Sequence, residues 1–239
     1  MELLGLEVLL PATAAVILGS ILQASVGYGF ALVTVPILFA LEPSLVPAPL
    51  IIASLFLMAW VAYKNRFSLH GHSVWSALMG LALGAPLGAM LLNTVSTSTL
   101  TLLICLLVST GLALSMRGIT APVTRTNQFL AGFASNVFGT STGIGGVPMA
   151  LLYQKEAGAR IRAVLSTVFF AGSVMSLMAL GATSQLAIED LYLGLAIVPG
   201  VIIGTIAGEW LAPMLDQGYS RVAILALSAC SMIYLVLSI

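Results

Sequence analysis

Apolar runs of about twenty residues recur along this whole chain, the length a helix needs to cross the hydrocarbon core of a bilayer. Leu3 to Ala24 is the first, and Phe30 to Leu41 is a shorter continuation. Further runs follow from Pro47 to about Tyr63, Val74 to Leu92, Leu100 to Met116 and Phe129 to Thr142. Val164 to Ala182, Leu191 to Leu211 and Val222 to Ser238 complete the set. Of the 239 residues, 60% are hydrophobic and only 7% charged, more apolar surface than a water-soluble fold needs. The pattern predicts an all-α polytopic membrane protein, a single transmembrane domain over residues 1–239. A formal net charge of +0 gives no case for nucleic acid. The acidic start Met1-Glu2-Leu3-Leu4 lacks the basic region of a cleaved signal peptide, so the first run is expected to be retained.

The runs are interrupted in one place by Gly139-Thr140-Ser141-Thr142-Gly143-Ile144-Gly145-Gly146-Val147-Pro148, with Asn136 just before. A helix interior disfavours this composition, because Gly costs roughly 1 kcal/mol and Pro about 3 relative to Ala. In lipid, broken backbone survives only where protein packs around it or a cavity opens beside it. The stretch therefore reads as a deliberate break in a transmembrane helix and as the floor of a binding site. Val147 to Tyr153 continues beyond it.

The halves repeat. A shift of 116 places Gly27 and Gly29 on Gly143 and Gly145, Ser20 on Asn136 and Ser25 on Ser141. Gly80, Gly84 and Gly88 share their spacing of four with Gly200, Gly204 and Gly208, displaced by 120. Each triplet lays a smooth glycine strip along one helix face, which lets another backbone approach closely. The repeats divide the chain into about 1–118 and 119–239.

Charge decides their relative orientation. The basic residues are Lys64, Arg66, Arg117, Arg125, Lys155, Arg160, Arg162 and Arg221. If each broken segment crosses once, they divide 4 against 4; if it enters and leaves by one face, they divide 8 against 0. The second arm of the first break, 12 residues or roughly 18 Å of helix, is too short to span about 30 Å of hydrocarbon. Each half then reads as a re-entrant hairpin plus three crossings. Three is odd, so the repeats are inverted, with both termini outside a cell (inner) membrane and the basic loops cytoplasmic.

Inverted repeats with interrupted helices are the pattern of secondary transporters. A helix that starts inside the membrane points unpaired N–H groups and partial positive charge into the cavity. Two such starts, near Gly29 and Gly146, would converge there. Candidate substrate-binding residues are Ser25, Gly27, Tyr28, Gly29, Asn136, Thr140, Ser141, Thr142, Gly143, Gly145 and Gly146. Tyr28, an aromatic between two glycines, is the sharpest of them. Together they suit a small oxyanion held by dipoles and hydrogen bonds. Ser and Thr in membrane helices also often satisfy their own backbone, and Gly often serves close packing.

Arg160 and Arg162 read either as a basic vestibule or as an orientation signal and headgroup anchor. Glu209 reads as a snorkelling carboxylate or a proton relay. Cys105 and Cys230 fall inside apolar runs and read as small buried hydrophobes, and His70 and His72 as solvated loop residues. No metal site, nucleophile–base pair or cofactor motif appears, so an enzyme is not expected; a coupling ion, H+ or Na+, is compatible with the site.

Two of these stretches resemble the motifs of a known family. Gly27-Tyr28-Gly29-Phe30-Ala31-Leu32-Val33-Thr34-Val35-Pro36 is similar to the first-half motif of the sulfite exporter TauE/SafE family, also called the toluene sulfonate uptake permeases. That motif is Gly-Ile-Gly-Gly-Gly followed by four residues and Pro. Gly143-Ile144-Gly145-Gly146-Val147-Pro148 is similar to its second-half motif, Gly-Ile-Gly-Gly-Pro-Pro. Phe30 and Ala31 stand where the motif has glycines, and Val147 where it has a proline. The resemblance implies transport of sulfite, sulfonates or related small sulfur-containing or carboxylate anions across a lipid bilayer. It fixes neither direction nor coupling ion, and a homo-oligomer is compatible with it. The alternative is a membrane scaffold whose Gly-x3-Gly strips hold partner helices.

Cysteines introduced near Glu42 and Glu189 are expected to react with an impermeant thiol reagent from outside, and those near Asn65 and Gly158 are not. Outside labelling at Asn65 would eliminate the inverted arrangement.

Overall fold

The computed structural model describes residues 5–69, 74–118, 121–156, 158–215 and 220–238. His70, His72, Asp216 and the N-terminal Met1 to Leu4 lie outside them. The described residues form ten α-helices with short 3-10 turns at Pro43–Leu45 and Arg66–Leu69. The first five are α1 (Leu6–Val26), α2 (Phe30–Leu41), α3 (Ala48–Lys64), α4 (Trp75–Thr94) and α5 (Thr97–Arg117). The second five are α6 (Arg125–Thr142), α7 (Gly146–Tyr153), α8 (Ala159–Ala182), α9 (Ile188–Met214) and α10 (Ser220–Leu237). Five of them, α1, α4, α5, α8 and α9, are long and apolar enough to cross a membrane. The chain is an all-α polytopic membrane protein.

Helix ends fall where local chemistry puts them. Ser96 and Thr124 accept backbone N–H bonds from Thr99 and Asn127 at the starts of α5 and α6. Gly118 closes α5 in the left-handed region. The outward faces are apolar: Leu102 is 71% exposed, Met178 70% and Trp210 84%, an arrangement suited to lipid and not to water. Cys230 is exposed on α10 and Cys105 half-buried on α5, which corrects the expectation of two buried thiols. Both helices are peripheral, and an apolar sequence does not tell a lipid-facing side from a core-facing one.

Packing follows a two-fold pattern. α4 lies against α6 and α9 against α1; α3 meets α9 and α8 meets α4; α2 meets α10 and α7 meets α5. Each pairing turns into its partner when the first five helices are exchanged for the last five, and α3 packs on α8 in the middle. The glycine strips make the closest of these contacts. A Cβ on Gly80 would lie 2.1 Å from the Phe129 carbonyl, on Gly84 2.4 Å from that of Phe133, and on Gly88 2.5 Å from that of Val137. In the other half, Gly200, Gly204 and Gly208 meet Thr13, Ile17 and Ile21 in the same way. Shifted by 116, Thr13, Ile17 and Ile21 are Phe129, Phe133 and Val137. Each half's strip thus grips the first broken helix of the other half. The strips are occupied within the chain.

Gly84→Ala is expected to lower the melting temperature of purified protein, because overpacking of this kind costs about 1–3 kcal/mol. Gly181→Ala should leave it unchanged or slightly raised. There the nearest atom to a new Cβ is Leu186 at 3.9 Å, and the helix gains up to about 1 kcal/mol of propensity.

Candidate functional site

Both breaks are built from the same parts. α1 runs 21 residues, about 31 Å and long enough to span, and stops at Gly27, whose φ of +100° favours glycine and whose N–H closes on the Gln23 carbonyl. α2 starts at once from Gly29 and is a half-length arm. α6 stops at Gly143, φ +80°, with its N–H on the Gly139 carbonyl, and α7 restarts at Gly146 for only eight residues. Pro148, in the first turn of α7, has no N–H to leave unpaired.

Side chains hold each break open. Gln23, buried in α1, donates its amide N–H to the Gly27 carbonyl at 2.7 Å. Arg162, from the start of α8, donates to the Ser25 carbonyl at 2.6 Å, placing a cation at the C-terminal end of α1, where the helix dipole favours one. Thr142 donates to the Phe138 carbonyl at 2.8 Å and accepts the Ile144 N–H at 3.2 Å. Asn136 spends its amide N–H groups on the carbonyls of Leu81 (3.0 Å) and Gly172 (3.4 Å). Its Oδ1 accepts from the Ser176 hydroxyl at 3.3 Å, and Ser176 lies 2.7 Å from the Thr140 hydroxyl. Asn136 thus ties the broken helix α6 to α4 and α8.

Between the breaks lies a cavity of about 90 Å³, room for several waters or a solute of a few heavy atoms. One side of it is Gln23, Tyr28, Gly29 and the first turn of α2 from Phe30 to Leu32. The other is Ser135, Asn136, Gly139, Gly143, Gly145 and Gly146. α3 closes it with Leu50, Ile51, Ser54 and Met58, and α8 with Phe169, Gly172, Ser173 and Ser176. Ser54 and Ser173 meet across it at 3.3 Å. None of the lining residues is charged. The lining is neutral: it carries hydroxyls and side-chain amides and includes the first residues of α2 and α7, helix starts whose first N–H groups have no intrahelical partners.

Of the residues singled out from sequence, Tyr28, Gly29, Asn136, Gly143, Gly145 and Gly146 come together at this cavity. Ser25, Gly27, Thr140, Ser141 and Thr142 are not among its lining residues. Ser25 donates to the Ile21 carbonyl and Ser141 to that of Val137, so both satisfy their own helices. Arg160 pairs with Glu156 at 3.2 Å and is half-exposed. Glu209 accepts from the Trp60 indole N–H at 2.7 Å and forms an ion pair with Lys64. Gln23, Ser54, Ser135, Phe169, Ser173 and Ser176 escaped the sequence reading. Gln23 carried a usable signal, as the one side-chain amide in the first apolar run. The serines carried none, since serine is common in membrane helices with no ligand to hold.

A polytopic helical bundle with two broken helices around an uncharged cavity, and with five helices long and apolar enough to span a bilayer, defines an integral membrane protein. The family model for the sulfite exporter TauE/SafE matches residues 12–235, nearly the whole chain, and the protein belongs to that family. No curated protein and no solved structure matches the chain.

Replacing Asn136 with Ala is expected to destabilise the protein by about 1–2 kcal/mol, the scale of interhelical side-chain hydrogen bonds in membranes. Thermal unfolding in detergent measures it; an unchanged midpoint would mean that the Asn136 tie carries no weight.

Proposed function

We propose that the protein is a secondary transporter that moves small, singly charged sulfur-containing or carboxylate anions through the cavity between its two helix breaks. Family membership supports transport of sulfite or sulfonates. The observation that carries the reading further is that both breaks wall one uncharged cavity. A monoanion there is held by N–H dipoles and neutral donors. A dianion would bring a second charge with no cation among the lining residues to balance it. The apolar side of the cavity, Phe30, Leu32, Met58 and Phe169, suits a short alkyl tail.

The transport cycle we infer is alternating access, with the two halves as inverted repeats moving about the contact of α3 with α8. The 8-to-0 division of basic residues supports the inverted arrangement, with both termini outside the cell (inner) membrane. Coupling to H+ or Na+ would supply the energy. The scaffold alternative needs glycine strips free for partner helices, and both strips are engaged inside the chain.

Purified protein in liposomes is expected to move methanesulfonate, and sulfite in mildly acidic buffer where it is mainly the hydrogensulfite monoanion, without any partner, and to take methanesulfonate in preference to sulfate. Absence of flux for all of these anions would return the scaffold reading. Gly146→Ala supplies the local test. Its methyl would meet only Phe169, at 3.7 Å, so the fold should tolerate it. Flux should fall sharply while the melting temperature holds. Wild-type flux in this variant would move the site away from the start of α7.

A further inference from the structure

Four buried hydroxyls, those of Ser20, Ser135, Ser166 and Ser228, have no hydrogen-bond partner among the described residues. Of these, Ser135 is the one that lines the central cavity. It is only 2% exposed. The other serines of the cavity are engaged: Ser54 with Ser173, and Ser176 with Thr140 and Asn136. The amides of Gln23 and Asn136 donate to backbone carbonyls. A serine inside a helix commonly turns its hydroxyl back to a carbonyl of the preceding turn, as Ser25 and Ser141 do. Ser135 does not, although a buried hydroxyl left unmade is costly and such groups normally find a partner in protein, water or ligand.

Its position gives the missing partner a place. A Cβ on Gly145 would lie 2.4 Å from the Ser135 carbonyl, so the α6 backbone at Ser135 rests directly on the second break. Ser135, Gly145 and the first residue of α7, Gly146, therefore stand at one end of the cavity. Ser135 and Gly146 line the same cavity, and the Ser135 hydroxyl has one proton to give.

We propose that Ser135 is a substrate-contacting residue, whose hydroxyl donates a hydrogen bond to an oxygen of the anion bound at the start of α7. The proposal rests on the transport reading above and assigns a donor within the same cavity. Asn136, its neighbour in sequence, is then a positioning residue, with its amide spent on α4 and α8.

The test is calorimetric titration of the full-length, detergent-purified protein with sulfite and with methanesulfonate, alongside thermal unfolding. Ser135→Ala should bind about ten- to a hundredfold more weakly, the loss typical of one hydrogen bond to a charged group. Its melting temperature should not fall, since the hydroxyl it removes has no partner in the protein. Ser166→Ala, which deletes a buried unpaired hydroxyl that does not line the cavity, should bind as wild type does. If Ser135→Ala does not purify as a monodisperse species, Ser135→Cys takes its place, with similar bulk, a weaker donor and an expected loss of about tenfold. Wild-type affinity for both anions in the purified Ser135 variant overturns the assignment and leaves the transport reading standing. A wild-type protein that binds neither anion overturns both.

Discussion

Backbone laid directly on backbone is the contact on which the rest of this protein depends. Within a bilayer no hydrophobic force drives one apolar helix onto another, so association rests on close packing and interhelical hydrogen bonds. Here two glycine strips supply the packing. α4 is pressed onto α6 and α9 onto α1, so closely that a single methyl on most strip positions would collide with a carbonyl of the opposite helix. The gripped helices are the two that break. A broken helix loses backbone hydrogen bonds and needs outside support. The clasp supplies it reciprocally, each half holding the other's broken element.

The breaks could not stand on glycine alone. Each exposes carbonyls at the end of one arm and N–H groups at the start of the next. Carbonyls at the end of α1 are met inside the protein by the Gln23 amide and the Arg162 guanidinium, and beyond α6 the Thr142 hydroxyl accepts the Ile144 N–H. The first residues of α2 and α7 line the cavity, whose other lining residues are apolar or neutral. A helix start carries partial positive charge, and a helix end the compensating negative charge. Arg162, which sequence left between vestibule and anchor, also secures the end of α1.

Much of the architecture was legible because its causes are local. The span of α2, Phe30 to Leu41, follows from glycines on one side and Glu42-Pro43 on the other. The Gly-x3-Gly strips announced backbone contact through spacing alone, though not which helix they would meet; that required the fold. The site was legible only in part. Glycines that break a helix are visible in sequence, and Tyr28, Gly29, Gly143, Gly145 and Gly146 do reach the cavity. The hydroxyls beside them gave no such guide. Ser141 and Thr142 turn to carbonyls of α6, while Ser135, with nothing to distinguish it in sequence, lines the cavity. Which side of a helix a serine occupies is set by the helices packed around it. The same limit explains Cys230, which apolar surroundings in sequence placed in the core and the packing of α10 places outside.

The central claim is that the chamber between the two breaks holds the transported anion. Selenite is a heavier analogue of sulfite, and selenium scatters X-rays anomalously, so a crystal grown with selenite locates the anion directly. The account predicts a selenium peak at the start of α7, placed so that selenite oxygens accept from the Gly146 N–H and the Ser135 hydroxyl. Selenium bound only at the surface near Arg160, with the chamber between α2, α6 and α8 free of it, would contradict it.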